Sequence, residues 1–304
     1  MYDIIIIGGG PAGLTAAIYA QRAGKNVLVI EKNTFGGQIA WSPKVENFPG
    51  FSSISGLELG DKLAAQAQEA GAELKQDKVL DVTRDSGSFR VCTALSANFY
   101  ASAAIFATGS EPRRLGLLNE DKWVGSGISF CAVCDGGFFR GSDVAVVGGG
   151  NTAFQEALYL SDICRNVHLI HRRTAFRADT SLTELANRRV NIHYHTPCEV
   201  TALHGEDQLQ SVTIRTLSDN AEKILSIGGL FIAVGHTPLT DMLQKFARLD
   251  THGYVCADEN TVTDTPGVFV AGDCRRKAVR QLTTAVADGA CAAVAACHYL
   301  DSRT

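Results

Sequence analysis

The sequence predicts an α/β protein built from two Rossmann-like, three-layer domains, the second inserted in the first. Three observations support this prediction. A strand, glycine-rich turn, helix and strand follow one another at the N-terminus, the same pattern recurs 140 residues later (position 8 to position 148), and a strand and helix near the C-terminus complete the first domain. With 304 residues the chain also exceeds the roughly 250–300 residues at which single cores stop growing.

The first pattern begins with an apolar strand, Ile4 to Ile7, which runs into the glycine-rich turn GGGPAG. A helical pattern covers residues 11–23, and a second strand covers 26–30 and ends at Glu31. Elements in this order are typical of a dinucleotide-binding βαβ unit.

Each part of this turn has a predicted role. Gly8 permits the tight turn, Gly10 lets a pyrophosphate approach the backbone, and Gly13 lets the helix lie close to the sheet. The free N–H groups and positive dipole end of the helix face the phosphates. Glu31 can accept hydrogen bonds from a ribose diol, so the first domain is expected to bind a dinucleotide without a 2′-phosphate.

The second pattern is SDVAVVGGGNTAFQEALYLSDICRNVHLIHRR. Matching phrases, IFATGSEP (105–112) and FIAVGHTP (231–238), close the two copies, which indicates an internal repeat. The residues that take the places of Gly8, Gly10, Gly13 and Glu31 are Gly148, Gly150, Ala153 and His171.

The second copy ends in basic residues where the first ends in an acid. Arg172 and Arg173 follow His171, and Arg177 stands four residues after Arg173. Guanidinium groups bind phosphate in a bidentate manner, whereas an acid would repel it. The second domain is therefore predicted to bind NADPH rather than NADH.

The C-terminal pattern predicts a flavin in the first domain. A strand over 268–271 meets Gly272-Asp273, and a helix is expected to begin near Arg280. Asp273 can bind ribityl hydroxyls, and the helix N-terminus near Arg280 and Gln281 can stabilise negative charge on a reduced isoalloxazine.

The predicted flavin domain therefore spans 1–113 and 242–304, and the predicted nicotinamide domain spans 114–241. The crossings contain EPRRLG and GHTPLTD, whose proline and glycine residues are expected at a hinge.

Composition excludes several classes of function. The net charge of −4 does not favour binding to nucleic acid or an anionic membrane, and the sequence has no run of about 20 apolar residues. The N-terminus is predicted to be a strand rather than a signal peptide, so we expect a cytoplasmic protein. The nine cysteines include one C-x-x-C, and no cysteine is spaced to join His193 and His195, so no metal site is expected.

The C-x-x-C lies in SFCAVCDGGFF, where Asp135 directly follows Cys131 and Cys134. Such a pair can hold zinc, form a structural disulfide or exchange electrons. Two thiols at this spacing close a ring reversibly, one attacking and the other resolving, and we interpret them as a redox-active disulfide. Asp135 is either an acid/base for the thiols or a turn residue in DGG.

Together these phrases resemble the bacterial-type, low-molecular-weight thioredoxin reductases over the whole chain. The similar stretches include GGGPAGLTAAIYAQRAG, GGQIAWSPKVENFPGF, CAVCDG, HRRTAFRA and RQLTTAVADG. The resemblance implies FAD and NADPH as cofactors, thioredoxin as the protein partner and a homodimer. The sequence departs from the family pattern at Val279, Gly137 and Gln155 and at the pair Asn151-Thr152.

The resemblance also implies roles for individual residues. Cys134 would face the flavin, Cys131 would attack the substrate disulfide, Asp135 would manage the thiol protons, and the nicotinamide domain would rotate about crossings near Arg113 and Asp241. The expected FAD residues are Gly8, Gly10, Pro11, Ala12, Gly13, Glu31, Lys32, Gly36, Gly37, Gln38, Asn47, Val79, Thr108, Gly109, Gly272, Asp273, Arg280, Gln281 and Leu282. The expected NADPH residues are Gly148, Gly150, Asn151, Thr152, Ala153, His171, Arg172, Arg173, Arg177 and Gly235.

Other functions stay open at this point. The chain could reduce another dithiol protein, or it could be a dithiol oxidase that sends electrons to oxygen. The basic residues Arg172, Arg173 and Arg177 argue against such an oxidase, which would not require an NADPH site. A ferredoxin-linked reductase would lack the dithiol or these arginines, and a nucleotide-sensing module would have a purely structural cysteine pair.

Overall fold

The computed structural model describes residues 1–42, 44–85, 87–95 and 97–303. The chain divides into two compact units: unit 1 is Met1–Glu111 with Thr237–Thr304, and unit 2 is Pro112–His236. Both units contain parallel sheets flanked by helices, which confirms the α/β prediction.

Unit 1 is built on a sheet of order β3-β2-β1-β6-β5-β4, with β17 beside β6. Strands β1, β2, β3, β6 and β17 pair in parallel, whereas β4, β5 and β6 pair antiparallel. The strands are β1 Tyr2–Ile7, β2 Val27–Glu31, β3 Glu73–Gln76, β4 Val79–Asp85, β5 Ser88–Thr93, β6 Asn98–Phe106 and β17 Val268–Val270. The helices are α1 Pro11–Arg22, α2 Gly56–Glu69 and α6 Leu282–Asp301, and short 3₁₀ helices cover Gly37–Trp41, Asp241–Leu243 and Gly272–Cys274.

The apolar run of β1 is explained by burial on both faces of this sheet. Ile4 and Ile6 belong to the core beneath α1, α2 and α6. Ile5 and Ile7 point to the opposite core, which contains Phe106. Strands of parallel sheets read as continuous apolar runs for this reason.

Unit 2 has a parallel sheet of order β11-β10-β9-β15-β8 and a separate antiparallel sheet of order β12-β13-β14. The strands are β8 Ile128–Ser129, β9 Asp143–Val147, β10 Asn166–Ile170, β11 Ile192–His195, β12 Cys198–Gly205, β13 Leu209–Thr216, β14 Glu222–Ser226 and β15 Gly229–Ile232. The helices are α3 Ala132–Asp135, α4 Asn151–Ser161 and α5 Thr180–Asn187, and 3₁₀ helices cover Glu120–Trp123 and Gly136–Phe139.

The two crossings between the units are strands β7, Ser110–Pro112, and β16, His236–Pro238, which pair with each other. The return to unit 1 occurs at Thr237, earlier than the predicted 242. The reason is local bonding: the Leu239 N–H donates to Gly109 O at 3.0 Å and the Thr108 hydroxyl donates to Leu239 O at 2.6 Å. Leu243 is then fully buried in the unit 1 core. The exit likewise comes two residues before the predicted 113, between Glu111 and Pro112.

The start of the last helix also differs from the prediction. Helix α6 begins at Leu282 rather than near Arg280, because Gln281 is extended, with φ −141° and ψ 160°, and serves as the N-cap. Gln281 and Thr284 form a reciprocal capping box. No helix in the described part of the chain is both long and apolar enough to span a membrane.

Candidate functional site

The first glycine-rich turn leaves space for a side chain at Gly10 but not at Gly8 or Gly13. A Cβ at Gly8, whose φ is +110°, would lie 2.3 Å from Ala107 O, and a Cβ at Gly13 would lie 1.9 Å from Gly8 O. At Gly10, however, the nearest atom would be Gly37 Cα at 3.9 Å. The turn is therefore tightly closed except beside Gly10, where the backbone has room for the predicted approach of a ligand.

Glu31 holds the loops around this turn. Its Oε2 accepts from the Gly9 N–H at 2.7 Å and its Oε1 accepts from the Asn33 N–H at 2.9 Å. The side chain is only 8% exposed. Each oxygen retains accepting capacity, so the carboxylate can bind a sugar hydroxyl while it holds the loop.

The next predicted flavin contacts lie against this turn. The Gly36 N–H donates to Gly9 O at 2.8 Å, and a Cβ at Gly37 would lie 3.0 Å from Gly10 Cα. The Asn47 amide donates to Gln281 Oε1 at 3.4 Å. The structure thus brings the 36–38 loop to the first turn, and Asn47 to the start of α6.

Several other predicted flavin residues have their own contacts within unit 1. Val79 is buried in the core at the start of β4. Lys32 is exposed and donates to Glu111 at 3.2 Å. The Gln38 amide donates to Ser110 O. Pro11 and Ala12 form the first turn of α1, and Leu282 packs on the same core as Ala12.

A buried ionic network, which the sequence reasoning missed, supports the Gly272-Asp273 turn. Asp288 accepts from the Gly272 N–H at 3.0 Å, from Arg275 at 2.6 and 2.8 Å, and from Lys277 at 2.9 Å. Lys277 also lies 3.6 Å from Asp273. Burial opposes ionisation of Asp288, yet the hydrogen bonds from Arg275 and Lys277 hold its pKa below the ordinary value. In the sequence, the indication of this network is an acid, Asp288, on the apolar stripe of the last helix.

Arg280 has a donor that remains available. Its guanidinium lies over the Tyr254 ring at 4.0 Å, and its buried Nε has no hydrogen-bond partner among the described residues. It stands just before the N-terminus of α6. A donor and a helix dipole at one place suit a group that becomes negatively charged, so unit 1 fits a flavin dinucleotide.

The second glycine-rich turn repeats the geometry of the first. A Cβ at Gly148 would lie 2.5 Å from Ala233 O, whereas a Cβ at Gly150 would meet nothing within 4 Å. Ala153 is fully buried at the position equivalent to Gly13. The open side of this turn lies beside Gly150, the equivalent of Gly10, so unit 2 fits a second dinucleotide.

His171 is a buried ring at the end of β10 rather than a surface base. Its ring lies where a side chain at Gly149 would stand, 2.4 Å from the Cβ position, and it stacks on Phe176 at 5.5 Å. Burial lowers its pKa, and the neighbouring charges of Arg177, Arg173 and Arg172 lower it further.

The three arginines beside His171 are exposed and make no ion pair with a described residue. Their charges are therefore available to a 2′-phosphate, which fits the predicted coenzyme.

The other predicted residues of unit 2 lie at the start of α4 or between β15 and β16. Asn151 and Asp179 exchange two hydrogen bonds of 2.8 Å, which ties the start of α4 to that of α5. Thr152 is exposed beside Asn151. Gly235 has φ +105° and accepts from the Arg113 N–H at 2.9 Å.

Cys131 and Cys134 are joined in a disulfide with their Cα atoms 5.3 Å apart. Cys131 is the N-cap of α3, and the Cys134 N–H points to Cys131 Sγ at 3.2 Å. In the reduced pair this N–H would stabilise a thiolate on Cys131. The geometry supports Cys131 as the nucleophile.

Asp135 lies directly after the disulfide and is partly buried. The Ser129 hydroxyl donates to its Oδ2 at 2.6 Å and accepts from the Cys131 N–H at 3.1 Å. Burial raises the pKa of Asp135, and the Ser129 hydrogen bond opposes this effect. A carboxyl group with a raised pKa beside a dithiol is suited to proton transfer.

Glu156 is a second carboxyl group at the dithiol that the sequence reasoning missed. It is 8% exposed on α4, and its Oε1 accepts from the Ala132 N–H at 3.2 Å. Burial, together with the charge of Asp135, raises its pKa to about 7, although the Ala132 hydrogen bond opposes this. In the sequence, its position between Ala153 and Ala157 on the apolar stripe of α4 indicates that this acid is buried.

Comparisons with known proteins agree with these features. The chain matches the pyridine nucleotide-disulphide oxidoreductase family over residues 2–289. It is 40% identical over 293 residues to the thioredoxin reductase of Mycoplasma genitalium, covering 95% of this chain and 92% of that protein.

Solved structures give the same result. The thioredoxin reductase of Streptococcus pyogenes matches with 38% identity and a TM-score of 0.93, covering 99% of each chain. The thioredoxin reductase of Lactococcus lactis in its FR conformation matches with 35% identity and a TM-score of 0.70, covering 99% of this chain and 100% of that one. With two dinucleotide-type turns and a C-x-x-C disulfide on one chain, this protein belongs to the pyridine nucleotide-disulphide oxidoreductase family.

Proposed function

We propose that this protein is an NADPH-dependent, FAD-containing thioredoxin reductase. Unit 1 is the FAD-binding domain and unit 2 is the NADPH-binding domain that carries the redox-active dithiol. The observation that supports this most directly is the disulfide between Cys131 and Cys134, with Asp135 bonded to Ser129 beside it. The full-length similarity to thioredoxin reductases gives the same activity.

The chain supplies two binding turns, a charged recognition cluster and an acid/base. Glu31, Asp273 and the open face of Gly10 would hold the flavin nucleotide, and Gly150 with Arg172 would hold the nicotinamide nucleotide. The chemistry that these groups supply when bound is hydride donation by NADPH and two-electron transfer by FAD.

The dithiol then carries out exchange with the partner. Asp135 takes the proton of the Cys131 thiol, and the Cys131 thiolate attacks one sulfur of the partner disulfide. The partner's S–S bond breaks, and its other sulfur leaves as a thiolate that takes up the proton held by Asp135. Cys134, as a thiolate, attacks Cys131 Sγ in the mixed disulfide, which re-forms the Cys131–Cys134 bond and releases the second partner thiolate to take up the proton lost by Cys134.

The proposed reaction requires motion between the units. Unit 2 contains both the dithiol and the second dinucleotide turn, and both must serve the flavin site of unit 1. We propose that unit 2 rotates about the paired strands β7 and β16, on the microsecond-to-millisecond scale typical of hinge motion. An engineered cross-link between the units should permit one half-reaction and block turnover.

The remaining parts of the proposal concern the setting of the enzyme. Thioredoxin is the proposed partner, and a homodimer is the proposed assembly, which analytical ultracentrifugation would test. Seven cysteines are unpaired in the part of the chain that the structure describes. Free thiols are typical of a reducing compartment, so we propose the cytoplasm.

The decisive assay measures NADPH consumption with a panel of oxidised thioredoxins, with and without oxygen. Cys131→Ser should still accept hydride into the flavin but should lose reduction of the protein disulfide. It should also leave Cys134 able to perturb the flavin spectrum as a thiolate. Consumption that needs oxygen but no thioredoxin would identify an oxidase instead, and retained thioredoxin reduction by Cys131→Ser would contradict the assigned order of the cysteines.

A further inference from the structure

The dithiol centre contains a second buried carboxyl group whose contacts differ from those of Asp135. Glu156 Oε1 accepts the backbone N–H of Ala132, the first residue of the helical turn between the two cysteines. Glu156 stands on α4, which packs against α3. This hydrogen bond therefore links the cysteine turn to the helix that follows the second glycine-rich turn.

The other oxygens of the two carboxyl groups lack partners. Glu156 Oε2 and Asp135 Oδ1 are both buried with no hydrogen-bond partner among the described residues. Neither carboxyl group forms an ion pair with a described lysine, arginine or histidine. An unpaired ionised carboxylate is costly to bury, and two interacting carboxylates cannot both ionise cheaply.

We propose that Glu156 is a positioning residue of the dithiol centre: it holds the cysteine turn through Ala132 and forms with Asp135 a buried carboxyl pair beside the cysteines. The inference rests on the proposed function, since it concerns the same dithiol. Asp135 is the acid/base at the sulfurs, and Glu156 acts through it: an ionised Glu156 strengthens proton binding by Asp135.

The charges around Glu156 support this assignment. Its pKa is raised to about 7 by burial and by Asp135, and among the described residues Asp135 is the charged group that acts on it. Because this charge comes from Asp135, the proposal requires the titration of Glu156 to depend on the charge of Asp135. A structural glutamate that only held Ala132 would not share its titration with the acid/base.

The test is a ¹³C NMR titration of glutamate-labelled, oxidised holoenzyme, with Glu156 assigned by the signal that Glu156→Gln removes. The Glu156 carboxyl carbon should titrate with a midpoint near 7, against about 4.3 for an ordinary glutamate. Asp135→Asn should lower that midpoint, and Glu184→Gln, at an exposed site of the same unit, should leave it unchanged. A midpoint in the ordinary range, or one that Asp135→Asn does not move, would overturn the proposal.

A second readout is the pH profile of disulfide reduction. Wild type and Glu184→Gln should show an inflection near pH 7 that Glu156→Gln lacks, while glutamine keeps an acceptor for Ala132. If Glu156→Gln lowers the rate equally at every pH and keeps the inflection, Glu156 has only a structural role and the proposed pairing with Asp135 is refuted. The NMR titration needs no partner protein, so absence of thioredoxin reduction with a midpoint near 7 would refute the proposed function alone.

Discussion

Alanine at Gly10 should separate binding of the flavin nucleotide from folding. The backbone of Gly10 has φ −77° and ψ −177°, which alanine adopts without strain, and the added Cβ would lie 3.9 Å from its nearest neighbour. The folded apoprotein therefore accommodates the methyl group. A pyrophosphate that approaches this backbone does not, because the methyl group stands on the open side of the turn.

The magnitude follows from these contacts. Overpacking at a ligand contact costs about 1–3 kcal/mol, and each 1.4 kcal/mol is about tenfold in affinity, so the Kd for FAD should rise about 5- to 150-fold. In the apoprotein, the poorer N-cap and the lower entropy of the unfolded chain are of similar size and opposite sign. The apoprotein Tm should therefore change by no more than about 4 °C.

The assay is fluorescence titration of the apoprotein with FAD, together with thermal melts of the same samples. Gly150→Ala is the matched control, because its Cβ meets nothing within 4 Å and it belongs to the other turn. It should weaken NADPH binding and leave FAD binding unchanged. If Gly10→Ala binds FAD within twofold of wild type, the open face at Gly10 is not the phosphate site.

Two further predictions concern unit 2. Replacing Arg172 and Arg173 by alanine should remove charge-assisted contacts of about 1.5–3 kcal/mol each, not additively, so that the preference for NADPH over NADH in kcat/KM collapses. The control Arg188→Ala, at another exposed site, should leave this preference unchanged. An unaltered preference in the double variant would exclude a role of the two arginines in binding the 2′-phosphate. Burial and the adjacent His168 lower the pKa of His195 from 6.5 to about 4, so the neutral ring is favoured in the folded state. The neutral His195 ring therefore contributes to the free energy of unfolding above pH 6.5, and this contribution is lost as the pH falls towards 4. For a partly exposed ring the loss is about 1–2 kcal/mol. The fall in Tm between pH 7 and pH 5 should therefore be smaller in His195→Gln than in wild type, and an equal fall would contradict this reasoning.

The sequence alone was enough to predict the α/β fold and the two similar units. Glycine spacing carries that information, because Gly8 and Gly13 in the first turn and Gly148 in the second leave no room for a Cβ. The C-x-x-C is equally local, since four consecutive residues bring the two sulfurs together. The roles of the arginines and the acid at the strand ends stay predictions that the geometry accommodates.

The tertiary structure decided the contacts that join distant segments. Glu156 meets Ala132, 24 positions earlier, and Asp288 holds Gly272 from the following helix. In the sequence both acids look like isolated charges on apolar helix stripes, and the stripe does not say which polar group lies opposite. Buried polar groups need partners, and the fold alone determines which backbone N–H or cation is close enough to supply them.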